Sequence, residues 1–274
     1  WIVMRDADTL SLRQRHARIG RMKIYPIPAF GDNYLWLVAN GTRALAVDPG
    51  DANPVLAALE RHRLTLDTIL ITHHHDDHIG GVAELVRRSG ARVYGPADAR
   101  IADVTDPVTE GRRLDLPWLG TALSVLEVPG HTRSHIAWYG GDALFCGDTL
   151  FAAGCGRLFE GTAEQMWHSL SRIASLPLHT RIYCAHEYTE SNLRFALAVE
   201  PDNQALIARA RRVAKLRAAD QPSVPFALAE ELATNPFLRV REAAVIRAAE
   251  AHAGRRLNSP VEVFAILREW KNAF

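Results

Sequence analysis

The chain has 274 residues, 48% of them apolar and 23% charged, ordinary proportions for a globular protein with one large domain or two modest ones. The formal net charge of +1 hides a division: residues 1–21 carry net +3, residues 22–190 net −6 and residues 191–274 net +4, so overall charge gives no argument for nucleic-acid binding. No apolar run approaches the ~20 residues of a membrane span, and three cysteines (Cys146, Cys155, Cys184) that cannot all pair and form no C-x-x-C suit a reducing, cytoplasmic setting.

Residues 1–21 are Arg-rich and lack the apolar stretch of a secretory signal; Met22 reads as the natural start, and the preceding residues as an extension outside the fold. From there the pattern is strands first. "MKIYPIP", "NYLWLVAN" and "RALAVDPG" are short, β-rich and separated by Gly-Asp-Asn and Asn-Gly turns. "ANPVLAALERHRL" predicts a helix, "LDTILIT" a buried strand, "GVAELVRRSG" a helix closed by Gly90, and "ARVYGP" another strand. After a polar loop, "ALSVLEVPG", "HIAWYGG" and "ALFCGDT" predict strands. Thr162 and Gln165 form a capping box ahead of a helix whose Met166, Leu170 and Ile173 share a face, and "RIYCAHE" is the last strand. Beyond residue 190 every segment reads helical. The expectation is a mixed β/α body over 22–190 and a helical part over 191–274.

The chemistry concentrates in "ITHHHDDHIGG", residues 71–81. In an extended backbone alternate side chains share a face, so His73 and His75 address one point while His74 faces away. After the chain turns, Asp77 and His78 address a second point. Imidazole and carboxylate together suit Zn²⁺, Fe²⁺ or Mn²⁺, and burying so many ionisable groups without a cation would be costly. Two pairs leave both points short of ligands. Three strand-end residues can complete them: His131 in "VPGHTRSH", Asp148 in "FCGDT" and His186 in "YCAHE". The expected arrangement is His73, His75 and His131 on one metal, Asp77, His78 and His186 on the other, with Asp148 and a hydroxide bridging. His74, Asp76 and His135 are left outside the ligand set, and the cysteines read as small core residues.

"THHHDDH" resembles the T-H-x-H-x-D-H motif of the metallo-β-lactamase superfamily. "PGHTRSHIAWY", "GDTLFAAGCGRLFEGT", "YCAHEYTESNLRFALAVEP" and "ELATNPFLR" resemble, in order, blocks of its glyoxalase II (hydroxyacylglutathione hydrolase) branch, covering nearly all of the chain from residue 22. The resemblance implies an α+β fold, an αββα sandwich followed by a helical domain that helps hold glutathione. It also implies hydrolysis of S-D-lactoylglutathione to D-lactate and glutathione, the methylglyoxal detoxification step. It places substrate contacts at Arg157 (where the family usually has Lys), Phe159 (where some members have Tyr), Tyr188, and the Arg268/Lys271 pair expected to meet the glycine carboxylate of glutathione. Ala185 stands where Gly is common.

In that reading two divalent cations per chain, Zn ahead of Fe or Mn, activate a bridging hydroxide, with Asp77 and Asp148 as the catalytic carboxylates. The partner is a glutathione thioester, with no nucleic acid and no membrane, and the protein is expected to be a cytoplasmic monomer. The competing readings are a glutathione persulfide dioxygenase of the same fold and, outside enzymes, a metal-binding interaction protein.

Overall fold

The computed structural model describes residues 22–274; the reading of residues 1–21 as an extension therefore lies outside the described residues. Tight turns join β1 (Lys23–Ala29), β2 (Asn33–Asn40) and β3 (Arg43–Val47) into an antiparallel meander. α1 (Ala52–His62) follows, started by Asp51, whose side chain accepts from the Asn53 amide. It crosses over to β4 (Thr65–Leu70), parallel to β3. α2 (Asp76–Ile79), α3 (Val82–Ser89), β5 (Arg92–Pro96) and β6 (Asp106–Val108) complete a first sheet of order β1-β2-β3-β4-β5-β6.

The second sheet is laid down by β7 (Arg113–Asp115), β8 (Ala122–Glu127), β9 (Ile136–Gly140) and β10 (Ala143–Gly147). A small hairpin follows, β11 (Leu150–Phe151) and β12 (Gly154–Cys155), then α4 (Ala163–Ala174) and β13 (Arg181–Cys184). The remainder is α5 (Thr189–Val199), α6 (Gln204–Arg217), β14 (Phe226–Ala227), α7 (Leu228–Thr234), α8 (Ala243–Ala253) and α9 (Pro260–Ala273). β14 pairs with β13 at the edge of the second sheet, whose order is β14-β13-β10-β9-β8-β7.

The αββα expectation holds, and β2 shows why. Its residues are buried on both faces. Tyr34, Trp36 and Val38 enter the core between the sheets, while Leu35, Leu37 and Ala39 enter a second core beneath α1 and α3. On the far side, Met166, Leu170 and Ile173 of α4 are wholly buried, and the Thr162–Gln165 capping box is formed. Two indoles cross between the sheets: Trp138 Nε1 donates to the Ile71 carbonyl (3.1 Å) and Trp36 Nε1 to the Cys184 carbonyl (2.9 Å). Both bonds end next to residues of the histidine loops, so they set the depth at which those loops meet.

The predicted elements in the body are present. Those not anticipated, α2, β6, β7, β11, β12, β14 and α7, are mostly too short to carry a period. The polar loop holds β6 and β7, and the helical part contributes a strand to the second sheet rather than being all helix.

Candidate metal centre and substrate cleft

β4, β8, β10 and β13 end at one edge of the sandwich, which gathers residues 72–78, His131, Asp148 and His186 there. The backbone is shaped to do this. Gly147 forms a bulge in the β10–β13 pairing and sits at φ +45°, where an added Cβ would lie 3.0 Å from Thr72 Cβ and His135 Cε1 and closer still to Thr72 Oγ1. A side chain there would push Asp148 out of line. Gly50 packs its Cα against the backbone of Asp77, where a Cβ has no room.

The first predicted trio converges. His73 Nε2 lies 3.0 Å from His75 Nδ1, and His131 Nε2 lies 3.1 Å from the same atom. The outward nitrogens are already committed. Thr72 Oγ1 donates to Asp48 Oδ2 (2.7 Å) and so accepts from His73 Nδ1 (3.0 Å), while His131 Nδ1 donates to the Arg157 carbonyl (2.8 Å). The facing nitrogens of His73 and His131 are therefore lone pairs aimed at one point. Burial pushes the pKa values of all three below the usual imidazole value. Neutral lone pairs so close repel unless a cation lies among them.

The second trio, Asp77, His78 and His186, also has its ligand atoms within 4.8 Å of one another. His78 Nδ1 donates to Asp48 Oδ2 (3.0 Å) and His186 Nδ1 to Asp32 Oδ1 (2.8 Å), which turns both Nε2 atoms inward. Asn33 Nδ2 donates to Asp77 Oδ2 (2.9 Å).

Asp148 stands between the trios. Its Oδ1 is 3.4 Å from both His78 Nε2 and His186 Nε2, and its Oδ2 is 3.4 Å from His131 Nε2. Burial opposes charge on His78 and His186, but Asp148 overcomes it and pushes them up to about 10 and about 11. Burial likewise opposes ionised Asp148, and the two imidazoliums hold it well below the carboxylate range. The donor set therefore favours positive charge at this point. His78 Nε2 and Asp148 Oδ1 are buried without a hydrogen-bond partner, as expected of atoms that coordinate cations. The residues thus fit a binuclear divalent-metal centre.

A third grouping, Asp48 with His73 and His78, is close enough to hold an ion. Asp48 instead accepts from Thr72 N (2.7 Å), Thr72 Oγ1 and His78 Nδ1, which fixes the orientation of the His78 ring. Sequence reasoning missed Asp48, Asp32 and Asn33; the one local hint is Asp48 in the turn "VDPGD", where it takes φ +48°. Replacing Asp48 with alanine frees His73 and His78 to rotate. Metal affinity is expected to fall about 10–100-fold with the melting temperature less affected, measured by chelator competition.

The groups left outside the ligand set lie nearby. His135 has both nitrogens engaged: it accepts from Asp148 N (3.2 Å) and donates to the Ile136 carbonyl (3.0 Å). His74 faces Asp98 (3.9 Å) and Glu160 (3.7 Å), and Asp76 is exposed at the start of α2. All three cysteines are free and buried, and burial raises each thiol pKa.

A cleft of about 420 Å³ runs from Asp148 and His131 toward α9, and Arg157, Phe159, Tyr188, Arg268 and Lys271 all line it. Tyr188 stacks on His186 (4.7 Å between centroids, 3° between planes). Phe159 is exposed and meets His131 edge-on at 5.2 Å. Arg268 and Lys271 are not a solvated helix face. Arg268 is 5% exposed and donates to the Cys155 carbonyl (2.8 Å); Lys271 Nζ donates to the Ser191 carbonyl (3.2 Å). Both cations rest on neutral acceptors, which leaves their charge available to an anion.

Comparison with known proteins agrees with this geometry. The metallo-beta-lactamase superfamily profile matches residues 29–186, and the profile of the hydroxyacylglutathione hydrolase C-terminus matches residues 187–274. The hydroxyacylglutathione hydrolase of Dechloromonas aromatica is 56% identical over 266 residues, covering 92% of this chain and all of that protein. Among solved structures, ETHE1 from Myxococcus xanthus has a TM-score of 0.64 at 24% identity, covering 91% of this chain and 90% of its own, a likeness of fold alone. TTHA1623, solved in a di-iron-bound form, has a TM-score of 0.52 at 32% identity, over 59% of this chain and 91% of that one. With the superfamily match over the sandwich, the C-terminal match over the cleft helices and the 56% identity to a full-length relative, the chain belongs to the hydroxyacylglutathione hydrolase family.

Proposed function

We propose that this thioester hydrolase converts S-D-lactoylglutathione to D-lactate and glutathione at the Asp148 end of the cleft. His73, His75 and His131 would hold one divalent cation, Asp77, His78 and His186 the other, and Asp148 both; zinc is the first choice, with iron or manganese as alternatives. When bound, the pair supplies a water acidified toward neutral pH and a Lewis acid for the thioester carbonyl. The observation that carries this reading is the division of the Asp148 oxygens between the two trios, at one end of a cleft that has cations at its other end.

The protein's own groups then have defined tasks. Asp77, tethered by Asn33 and partly exposed, orients the attacking water as a hydrogen-bond acceptor. Arg157, Arg268 and Lys271 hold the glutathione carboxylates, and Tyr188 and Phe159 wall the approach to the ligand cluster. A thiol ionises near pH 8.5, so the departing glutathione needs no strong protein acid. Remote contacts of this kind position the carbonyl.

In this reading residues 22–190 form the catalytic part and residues 191–274 the substrate-binding helices of a cytoplasmic monomer that needs neither nucleic acid nor membrane. Among the described residues no helix is long and apolar enough to cross a membrane. The test is hydrolysis of S-D-lactoylglutathione before and after dialysis against a chelator, with metal counted per chain. Loss of turnover with the metal and its return with two equivalents is the expected result; full turnover by metal-free protein would overturn it.

A further inference from the structure

The hairpin β11–β12 links the two ends of the site. It leaves Asp148 and delivers Arg157, whose carbonyl holds His131. Its turn is buried, with Ala152 1% and Ala153 0% exposed, so its backbone groups need protein partners. Those partners come from the helical part. Asn192 Nδ2 donates to the Ala152 carbonyl (3.1 Å), and the Ala153 amide donates to Glu231 Oε2 (2.9 Å). Asn235 Nδ2 donates to the Gly154 carbonyl (2.9 Å), and Arg268 Nη1 to the Cys155 carbonyl. Ala153 is held at φ +55°, a conformation that an alanine keeps only where its surroundings enforce it.

Glu231 is the unusual member. It is wholly buried, and its second oxygen pairs with Arg209, itself 2% exposed. Arg209 also donates to Thr234 Oγ1 (2.7 Å), and its guanidinium lies over the Phe226 ring. Asn235 Nδ2 donates to the same Glu231 oxygen that the Ala153 amide uses (2.8 Å). A buried ion pair is a poor source of stability, and well-packed apolar side chains often serve as well or better. What such side chains cannot supply is an acceptor for the Ala153 amide.

We propose that Glu231, held by Arg209 and Asn235, is a positioning residue of this hydrolase: it fixes the Ala153 turn so that Asp148 and Arg157 present themselves correctly to the metal-binding histidines. The helical part then shapes the metal centre as well as the substrate cleft. The inference rests on the ligand set proposed above.

Two double variants isolate the effect. Arg209→Met/Glu231→Gln removes the ion pair but keeps a side-chain carbonyl for the Ala153 amide; Arg209→Met/Glu231→Leu removes both. Hydrogen exchange of residues 151–157 and chelator competition are measured on the metal-loaded proteins. The Leu variant is expected to exchange faster across this hairpin and to lose metal at about 10–100-fold lower chelator concentration than the Gln variant, at similar melting temperature. Its kcat/KM falls with the metal. Equal protection and equal metal retention in the two would overturn the proposal, as would equal impairment of both. Should the Leu variant fail to fold, Asn235→Asp takes its place: it keeps the acceptor for the Phe237 amide but sets an oxygen against the Gly154 carbonyl and Glu231. The same local exchange and metal loss are expected of it, and unchanged exchange would refute the role. Faster hairpin exchange with unaltered metal binding would also overturn the proposal, whereas a parent protein that binds no metal would instead overturn the ligand set.

Discussion

Replacing Asp148 with alanine is expected to empty both halves of the metal centre and lower kcat/KM by at least about 10³-fold, on the order of 4 kcal/mol of transition-state stabilisation. It faces both trios, one oxygen toward His78 and His186 and the other toward His131. Without it, two cations close together lose their shared counter-charge. Asp148→Asn separates charge from shape. The amide keeps the volume but presents an N–H₂ to one trio, so its loss should approach that of alanine. Metal content by elemental analysis and turnover of S-D-lactoylglutathione check both variants. Two metals per chain with near-normal kcat in Asp148→Ala would falsify the bridging role.

The second large effect concerns the far end of the cleft. Arg268→Ala/Lys271→Ala should raise KM for the glutathione thioester by about 10²-fold, some 2.7 kcal/mol, while turnover of a small thioester without the tripeptide changes little. Arg268 also supports the Cys155 carbonyl and lies over Phe237, so equal losses on both substrates would point to a damaged hairpin instead. Lys271 offers a cleaner probe. Burial, followed by the charges of Arg268, Arg194 and Arg157, pushes its pKa down to about 8. The amine is charged below that pH and loses its charge as pH rises through it, whereas the substrate carboxylates stay ionised. KM for the glutathione thioester should therefore climb between pH 7 and pH 9 in the parent protein. Lys271→Met should start high and stay flat over the same interval. A parent KM that is level across it would remove Lys271 from the carboxylate contact.

Much of this is legible in the sequence, and the reason is locality. His73, His75, Asp77 and His78 lie in one loop, where an extended stretch followed by a turn of helix dictates which side chains can converge. The strand-to-loop junctions at His131, Asp148 and His186 could be found because their flanks are plain strand patterns. The resemblance of the later blocks supplied the substrate. The reach of local reasoning ends at Arg268. Its spacing from Lys271 on α9 is that of an ordinary surface pair, yet the helix packs that face inward against Cys155 and Phe237.

The sequence by itself determined the kinds of donor atom, their approximate pairing, the sandwich and the helical addition, because these follow from composition, period and short-range spacing. Only the tertiary structure decided that Asp48 and Asp32 aim His78 and His186, how the two oxygens of Asp148 are divided, and that Glu231 reaches across to the Ala153 amide. Each is a directed hydrogen bond or contact between segments far apart in the chain. Its geometry is set by how sheets and helices dock, which no local pattern records.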